Sequence, residues 1–163
     1  MRPTTAPLPL LIREAVPDDA EEIAEILRAQ GIFEHIAREP AEATVGRLRE
    51  RLEQAIPSHD TILVALETAK VVGYGAVRWM PNLILKGTDG YLSELFLRPE
   101  TTGKGVGTRI LERFDEEAQR RGAERLWCIN LRDRESYQRS YYRKQGWEER
   151  DIAVFMHRYP SQG

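Results

Sequence analysis

The residues best equipped for chemistry lie just past Pro99, in the run Thr102-Gly103-Lys104-Gly105-Val106-Gly107. Glycines at alternate positions let a ligand reach the main chain without meeting a Cβ, and they make positive φ accessible. Val106, Ile110, Leu111, Phe114 and Ala118 share one helical stripe, which predicts a helix opening at this loop. The first amides of that helix have no intrahelical partner, and its dipole favours an anion. With the mobile cation of Lys104, these features describe a seat for a phosphate. Two better-known phosphate patterns do not fit. A P-loop needs a glycine where Arg98 stands and a hydroxyl where Gly105 stands; the dinucleotide fingerprint needs a glycine at Thr108 or Ile110. Taken alone, the glycines also allow a lesser reading as a turn that merely joins a strand to a helix.

Other reactive types carry less. Cys128 with His157 invites a nucleophile, but the cysteine stands between Trp127 and Ile129 in an alternating strand pattern, where an inert buried thiol is the default. One cysteine and three histidines (His35, His59, His157) neither make a disulfide framework nor have the spacing of a zinc site, so no metal is expected. Arg132, Arg134, Arg139 and Arg143 concentrate positive charge, but Asp133 and Glu135 interleave them, as on a solvated, salt-bridged face.

Composition bounds the rest. A chain of 163 residues, 41% hydrophobic and 31% charged, with a net charge of −2, has the material for one globular domain. It lacks the low hydrophobicity and large net charge of a disordered chain. It also lacks the basic surplus of a duplex nucleic-acid binder. No run approaches the ~20 apolar residues that cross a bilayer, and Leu8 to Ile12 is short and broken by Pro9. A cytoplasmic protein without nucleic-acid or membrane partners is expected.

The elements that must position the glycine loop read as follows. Residues 1–9 form a loose arm and residues 10–163 one domain. Leu10 to Ile12 is a strand. Asp18 or Asp19 caps a helix carrying Ala20, Ile23, Ile26 and Leu27, which Gly31 stops. A second helix carries Val45, Leu48, Leu52, Ala55 and Ile56, and Pro57 ends it. Residues 61–66 and 71–79 make a hairpin, 81–90 a loop with Leu83, Ile84 and Leu85, and 91–97 a strand just before the glycines. Strand 126–131, a helix over 136–145 and a last strand 152–156 complete the order β α α β β β α β α β, a mixed α/β (α+β) class.

Leu95-Phe96-Leu97-Arg98-Pro99-Glu100 followed by Thr-Gly-Lys-Gly-Val-Gly resembles motif A of the GNAT superfamily of acyl-CoA-dependent N-acetyltransferases, an apolar strand, Pro-Glu and Arg/Gln-x-x-Gly-x-Gly/Ala. Tyr141-Tyr142-Arg143-Lys144-Gln145-Gly146-Trp147 is similar to that family's motif B, aromatic-Tyr-x-Lys-x-Gly-aromatic. Both motifs stand in the family's order, and the element order covers nearly the whole chain. Thr102 departs from the usual Arg or Gln, Glu135 from a frequent Asn, and Gln138 from a frequent Ala.

The resemblance implies a mostly antiparallel sheet splayed at a β-bulge and a direct attack by an amine on acetyl-CoA, without an acyl-enzyme. It implies a coenzyme seat at Leu97, Thr102, Gly103, Lys104, Gly105, Val106 and Gly107. Backbone amides near Phe96 and Leu97 would polarise the thioester carbonyl. Tyr142 would be the acid that protonates the departing thiolate, and Arg139 and Arg143 further coenzyme contacts. Glu94, expected just before the bulge, would be base or substrate anchor. Its stretch Tyr91 to Leu97 is similar to the polyamine and diamine acetyltransferase branch. Glu34, Glu39 and Glu42 stand where the family often shapes its acceptor pocket, which suits a cationic small amine. Protein N-terminal or lysine acetylation and a non-catalytic acyl-CoA-binding regulatory module stay open. A protein-interaction domain is suggested only by the apolar loop Met80 to Leu85. In that loop the resemblance also leaves room for a homodimer contact.

Overall fold

From Thr61 onward, β-branched and apolar residues feed three successive antiparallel strands, and these form the middle of a five-stranded sheet. The computed structural model describes residues 9–160. In chain order the strands are β1 (Leu11–Glu14), β2 (Asp60–Glu67), β3 (Lys70–Pro81), β4 (Thr88–Leu97) and β5 (Ala123–Trp127), and the sheet order is the same. Every neighbouring pair is antiparallel except β4 and β5. A parallel pair needs a crossover, which α4 (Val106–Arg120) supplies. The remaining helices are α1 (Ala20–Gln30), α2 (Glu34–Arg38), α3 (Ala41–Glu53), α5 (Glu135–Gln138) and α6 (Tyr141–Lys144).

The two faces of the sheet follow from the two-residue alternation along β3. Tyr74 points to the face covered by α1 and α2, in a cluster with Ile23, Ile26, Leu27, Ile36, Val64 and Val71. Gly75 points to the other face, where α4 packs. A Cβ there would lie 2.8 Å from the Phe114 ring and 3.1 Å from Ile110. Only a glycine lets α4 sit this close to β3. Phe114 and Ile110 are fully buried, and each such side chain stabilises the fold by about 1.5–3 kcal/mol. The glycine loop is thereby held against the sheet end from which it springs.

Two compact units are present, one ending at Ile129 and the other starting at Asn130. The first contains the whole sheet and α1 to α4. The second holds α5 and α6, each of four residues, followed over residues 148–160 by an exposed segment without regular structure.

Several expectations change. The strand predicted over 152–156 is not formed; Ile152, Val154, Phe155 and Met156 are exposed and no described strand pairs with them. Alternation alone makes a strand only where a sheet edge accepts its hydrogen bonds. The strand predicted over 126–131 runs instead over 123–127, because its ladder with β4 starts at Thr88 and ends at Tyr91. The helix predicted over 136–145 is interrupted at Ser140, where φ is +55°. Helix α2 has no counterpart in the predicted order; its buried face is little more than Ile36, too little for periodicity to register. The 81–90 loop is shorter than predicted, since β3 reaches Pro81 and β4 begins at Thr88. Leu83 and Ile84 within it are exposed and cover no sheet edge. Of the N-terminal arm, residues 1–8 lie outside the described residues; Pro9 is exposed and irregular.

Candidate active site

Past β4, Pro99–Thr101 forms a 3-10 turn, and Gly103 and Gly105 then take φ of +81° and +83°. Nothing lies within 4 Å of where a Cβ would stand at either glycine. Their role is therefore conformational: they turn the chain so that α4 starts with its amides facing outward. The amides of Thr102 and Lys104 are consumed in turns, donating to the carbonyls of Pro99 and Thr101 at 3.3 and 3.4 Å. Those of Gly103, Gly105, Val106, Gly107 and Thr108 find no acceptor among the described residues. A row of unsatisfied N–H groups at the positive end of a helix fits a diphosphate. Val106 and Gly107 are buried and can offer only their amides; Lys104 is exposed and can offer its ammonium. Lys104, Gly105, Val106 and Arg109 line a cleft of about 400 Å³ with Pro9, Leu10 and Glu67. Arg109 is a second cation beside the loop that periodicity alone does not single out.

Beside this seat, β4 loses its neighbour. Its pairing with β5 stops at Tyr91–Trp127, whereas its pairing with β3 continues to Leu97. The Arg98 amide donates to the Val72 carbonyl at 2.8 Å. By the alternation of an antiparallel ladder, Phe96 and Glu94 also turn their main-chain groups to β3, and Leu95 and Leu97 turn theirs to the open side. In agreement, the Leu97 carbonyl accepts a 2.8 Å hydrogen bond from Gln30 Nε2 at the end of α1, not from β3. Of the two residues expected near the thioester carbonyl, Leu97 has its main-chain groups on the open side of β4. Phe96 faces β3, and Leu95 takes its place on the open side. The Phe96 ring packs edge-on against Phe33, with centroids 5.4 Å apart.

A register shift between Ala76 and Val77 leaves Ser93 as the extra residue of β4. The bulge therefore precedes Glu94. Glu94 is not a free surface carboxylate: Tyr74 Oη donates to its Oε1 at 3.3 Å, and Arg78 Nη2 approaches its Oε2 at 3.5 Å. Burial first, and then the Glu94 charge, push the Tyr74 phenol well above its usual range, so it remains a donor. The other Arg78 nitrogen binds Asp60 at 2.6 Å. Burial raises the Asp60 carboxyl, but the Arg78 hydrogen bond and the Ile56 amide outweigh it and hold Asp60 below the usual carboxylate range.

In the second unit, Tyr142 lies on α6, half-buried, with its ring 5.1 Å from Tyr141 and 5.3 Å from Trp147. The Trp147 amide donates to the Tyr142 carbonyl, and Gly146 takes φ of +84° to end the turn. Arg139 pairs with Glu135, and Arg143 pairs with Glu149, which Arg132 and Tyr137 also bind. A salt-bridged face forms here, with Glu149 rather than Asp133 as its main acceptor.

The three glutamates expected around the acceptor differ among themselves. Glu39 is taken by Arg47 and Thr44, and their hydrogen bonds hold its carboxyl down to about 2. Glu34 pairs with Arg38 in solvent, and Glu42 is exposed. Cys128 is half-buried just past β5 rather than within it, and His157 is exposed. Sequence reasoning missed Arg98, which is buried and donates to the Val71 carbonyl and to Glu22 and Glu25 of α1. That strut, with Gln30, fixes α1 to the end of β4. Neither residue carries a local signal, because their partners are roughly seventy residues away in sequence.

Among the described residues, no helix is long and apolar enough to cross a membrane. They also hold no cluster of three or more metal-ligating side chains. Residues 21–147 match the model of the acetyltransferase (GNAT) family. An IAA acetyltransferase of Azospirillum brasilense is 34% identical over 88 residues, 54% of this chain and 54% of that one, so the match spans about half the length of that relative. A thialysine N-epsilon-acetyltransferase of Bos taurus is 25% identical over 124 residues, 72% of each chain. Among solved structures, a transcriptional regulator from Bacillus halodurans C-125 superposes with a TM-score of 0.77 at 20% identity, over 91% of this chain and 99% of that one. A family model spanning most of the chain means that this protein belongs to the GNAT family of acetyltransferases.

Proposed function

We propose that this protein moves an acetyl group from acetyl-CoA to a primary amine of a small, cationic molecule. The observation that carries this reading is the set of outward amides at Gly103 and from Gly105 to Thr108, beside a strand whose far side is unpaired past Tyr91. Acetyl-CoA supplies an activated thioester carbonyl. Gly103, Gly105, Val106, Gly107 and Thr108 would hold its diphosphate through their N–H groups, with Lys104 and Arg109 adding charge. Outward amides of Leu95 and Leu97 would donate to the carbonyl oxygen as it gains negative charge, a contribution of about 3 kcal/mol for one well-placed donor.

An alkylamine is mostly charged near neutral pH, so it must lose a proton before it attacks. Glu94, fixed by Tyr74 and Arg78, would hold the ammonium and take that proton, directly or through water. Tyr142 would donate from its phenol Oη to the departing sulfur. Its relatives are named for acetylating IAA and thialysine, and the second of these is an amine, in keeping with an amine acceptor here.

The deciding measurement pairs calorimetry with CoA against thiol release from acetyl-CoA over a panel of small amines. Binding of CoA and amine-dependent thiol release are expected. Absence of CoA binding overturns the reading; binding without release on every amine would favour a regulatory acyl-CoA module of the same fold.

A further inference from the structure

The side chains around Glu94 form a closed set. Asp60 on β2, Arg78 on β3 and Glu94 on β4 lie on the same sheet face, and one guanidinium serves both carboxylates, at 2.6 Å and 3.5 Å. Tyr74 adds a neutral donor to the remaining Glu94 oxygen. Two carboxylates and one guanidinium leave one negative charge. Arg78 and Glu94 are each partly exposed, with 39% and 34% of their side chains open to solvent, so the set is reachable from outside.

Resting on the amine acetyltransferase reading above, we propose that Arg78 is a specificity-determining residue that selects acceptors with a single positive charge. One ammonium neutralises the set when it meets Glu94. A second ammonium on the same molecule finds Arg78 where it would need a further anion, because Asp60 is already held by that guanidinium. Discrimination of this kind comes from a repulsive group as much as from an attractive one. A like charge brought close in a partly desolvated site weakens binding by about tenfold or more. The stretch around Glu94 is similar to enzymes of the polyamine branch, but the cation on the adjacent strand turns the same carboxylate toward a monoamine.

The test is calorimetric binding of 1-aminopentane and 1,5-diaminopentane to the protein saturated with CoA, for wild type, Arg78→Gln and Arg78→Lys. Wild type is expected to bind the monoamine about tenfold more tightly. Arg78→Gln should shift the ratio toward the diamine by about the same factor, and Arg78→Lys should keep the wild-type order because it keeps the charge. A wild type that prefers the diamine, or that binds neither amine, overturns the proposal even if no variant folds. So does an unchanged ratio in Arg78→Gln. Thiol release from acetyl-CoA, measured on the same variants without added CoA, reports separately on acetyl transfer. Selective binding without turnover would retain the role of Arg78 and remove the acetyltransferase reading.

Discussion

The unit ending at Ile129 and the unit starting at Asn130 solve opposite problems. The first offers main chain: two glycines at positive φ, amides left over at a helix start, and a strand edge left open where pairing stops. The second offers side chains on two helices of four residues each, braced by ion pairs around Glu149. A main-chain site tolerates side-chain variation and is sensitive to φ. A side-chain site is indifferent to backbone detail a few residues away but depends on one functional group. On the proposed reading, the seat needs only the amides of its loop, so Thr102 can depart from the family pattern without removing it.

The sharpest way to break this contrast is Tyr142→Phe. Losing a general acid should lower kcat by about 100-fold while CoA affinity, measured by calorimetry, stays within about twofold of wild type. Equal losses in both would mean that the tyrosine is packing, not chemistry. Next in size is Arg98→Met, which removes the strut between α1 and the end of β4. It removes the hydrogen bonds from Arg98 to the Val71 carbonyl and to Glu25 and should cost about 2 kcal/mol in urea unfolding. A cost near zero would show that α1 needs no such anchor. Gly105→Val tests the main-chain side directly. No atom obstructs the new Cβ, so its effect arises from φ alone; the strain of about 1–2 kcal/mol should weaken CoA roughly tenfold. Thr102→Ala should change it less than threefold, since the seat uses little of that side chain.

The smallest expected effect concerns Glu39. Its carboxyl is held down to about 2 by Arg47 and Thr44, so the folded state binds that proton more weakly than the unfolded chain. The stability this contributes is fully present above the ordinary carboxylate range and is lost as pH falls toward 2. The difference in Tm between wild type and Arg47→Ala should therefore be present at neutral pH and shrink between about pH 5 and pH 2. A difference that stays constant with pH would assign the loss to packing.

Glycine spacing, the stripe from Val106 to Phe114 and the Pro99 break make the seat legible in the amino-acid sequence, because each acts through its own stretch of chain. Glu94 stands out there as a carboxylate in an apolar strand, yet its partners do not, since Tyr74 and Arg78 reach it only after β3 and β4 come into register. The placement of the Ser93 bulge decides which amides face outward. That placement depends on how β3 and β4 share their hydrogen bonds, so Phe96 could be singled out where Leu95 is the residue turned to the open side. Ile152 to Met156 carry the alternation of a strand and form none, because a strand exists only with an acceptor edge.

What this chain determines by itself is therefore local: where helices start, where the backbone can bend the wrong way, and which residue types are available for proton and phosphate chemistry. Which side of β4 lies open, which cation neutralises Glu94 and which carboxylates are already spent are decided by partners tens of residues away. Hydrogen bonds and ion pairs act over a few ångströms in space, and distance along the sequence says nothing about them until the sheet has closed.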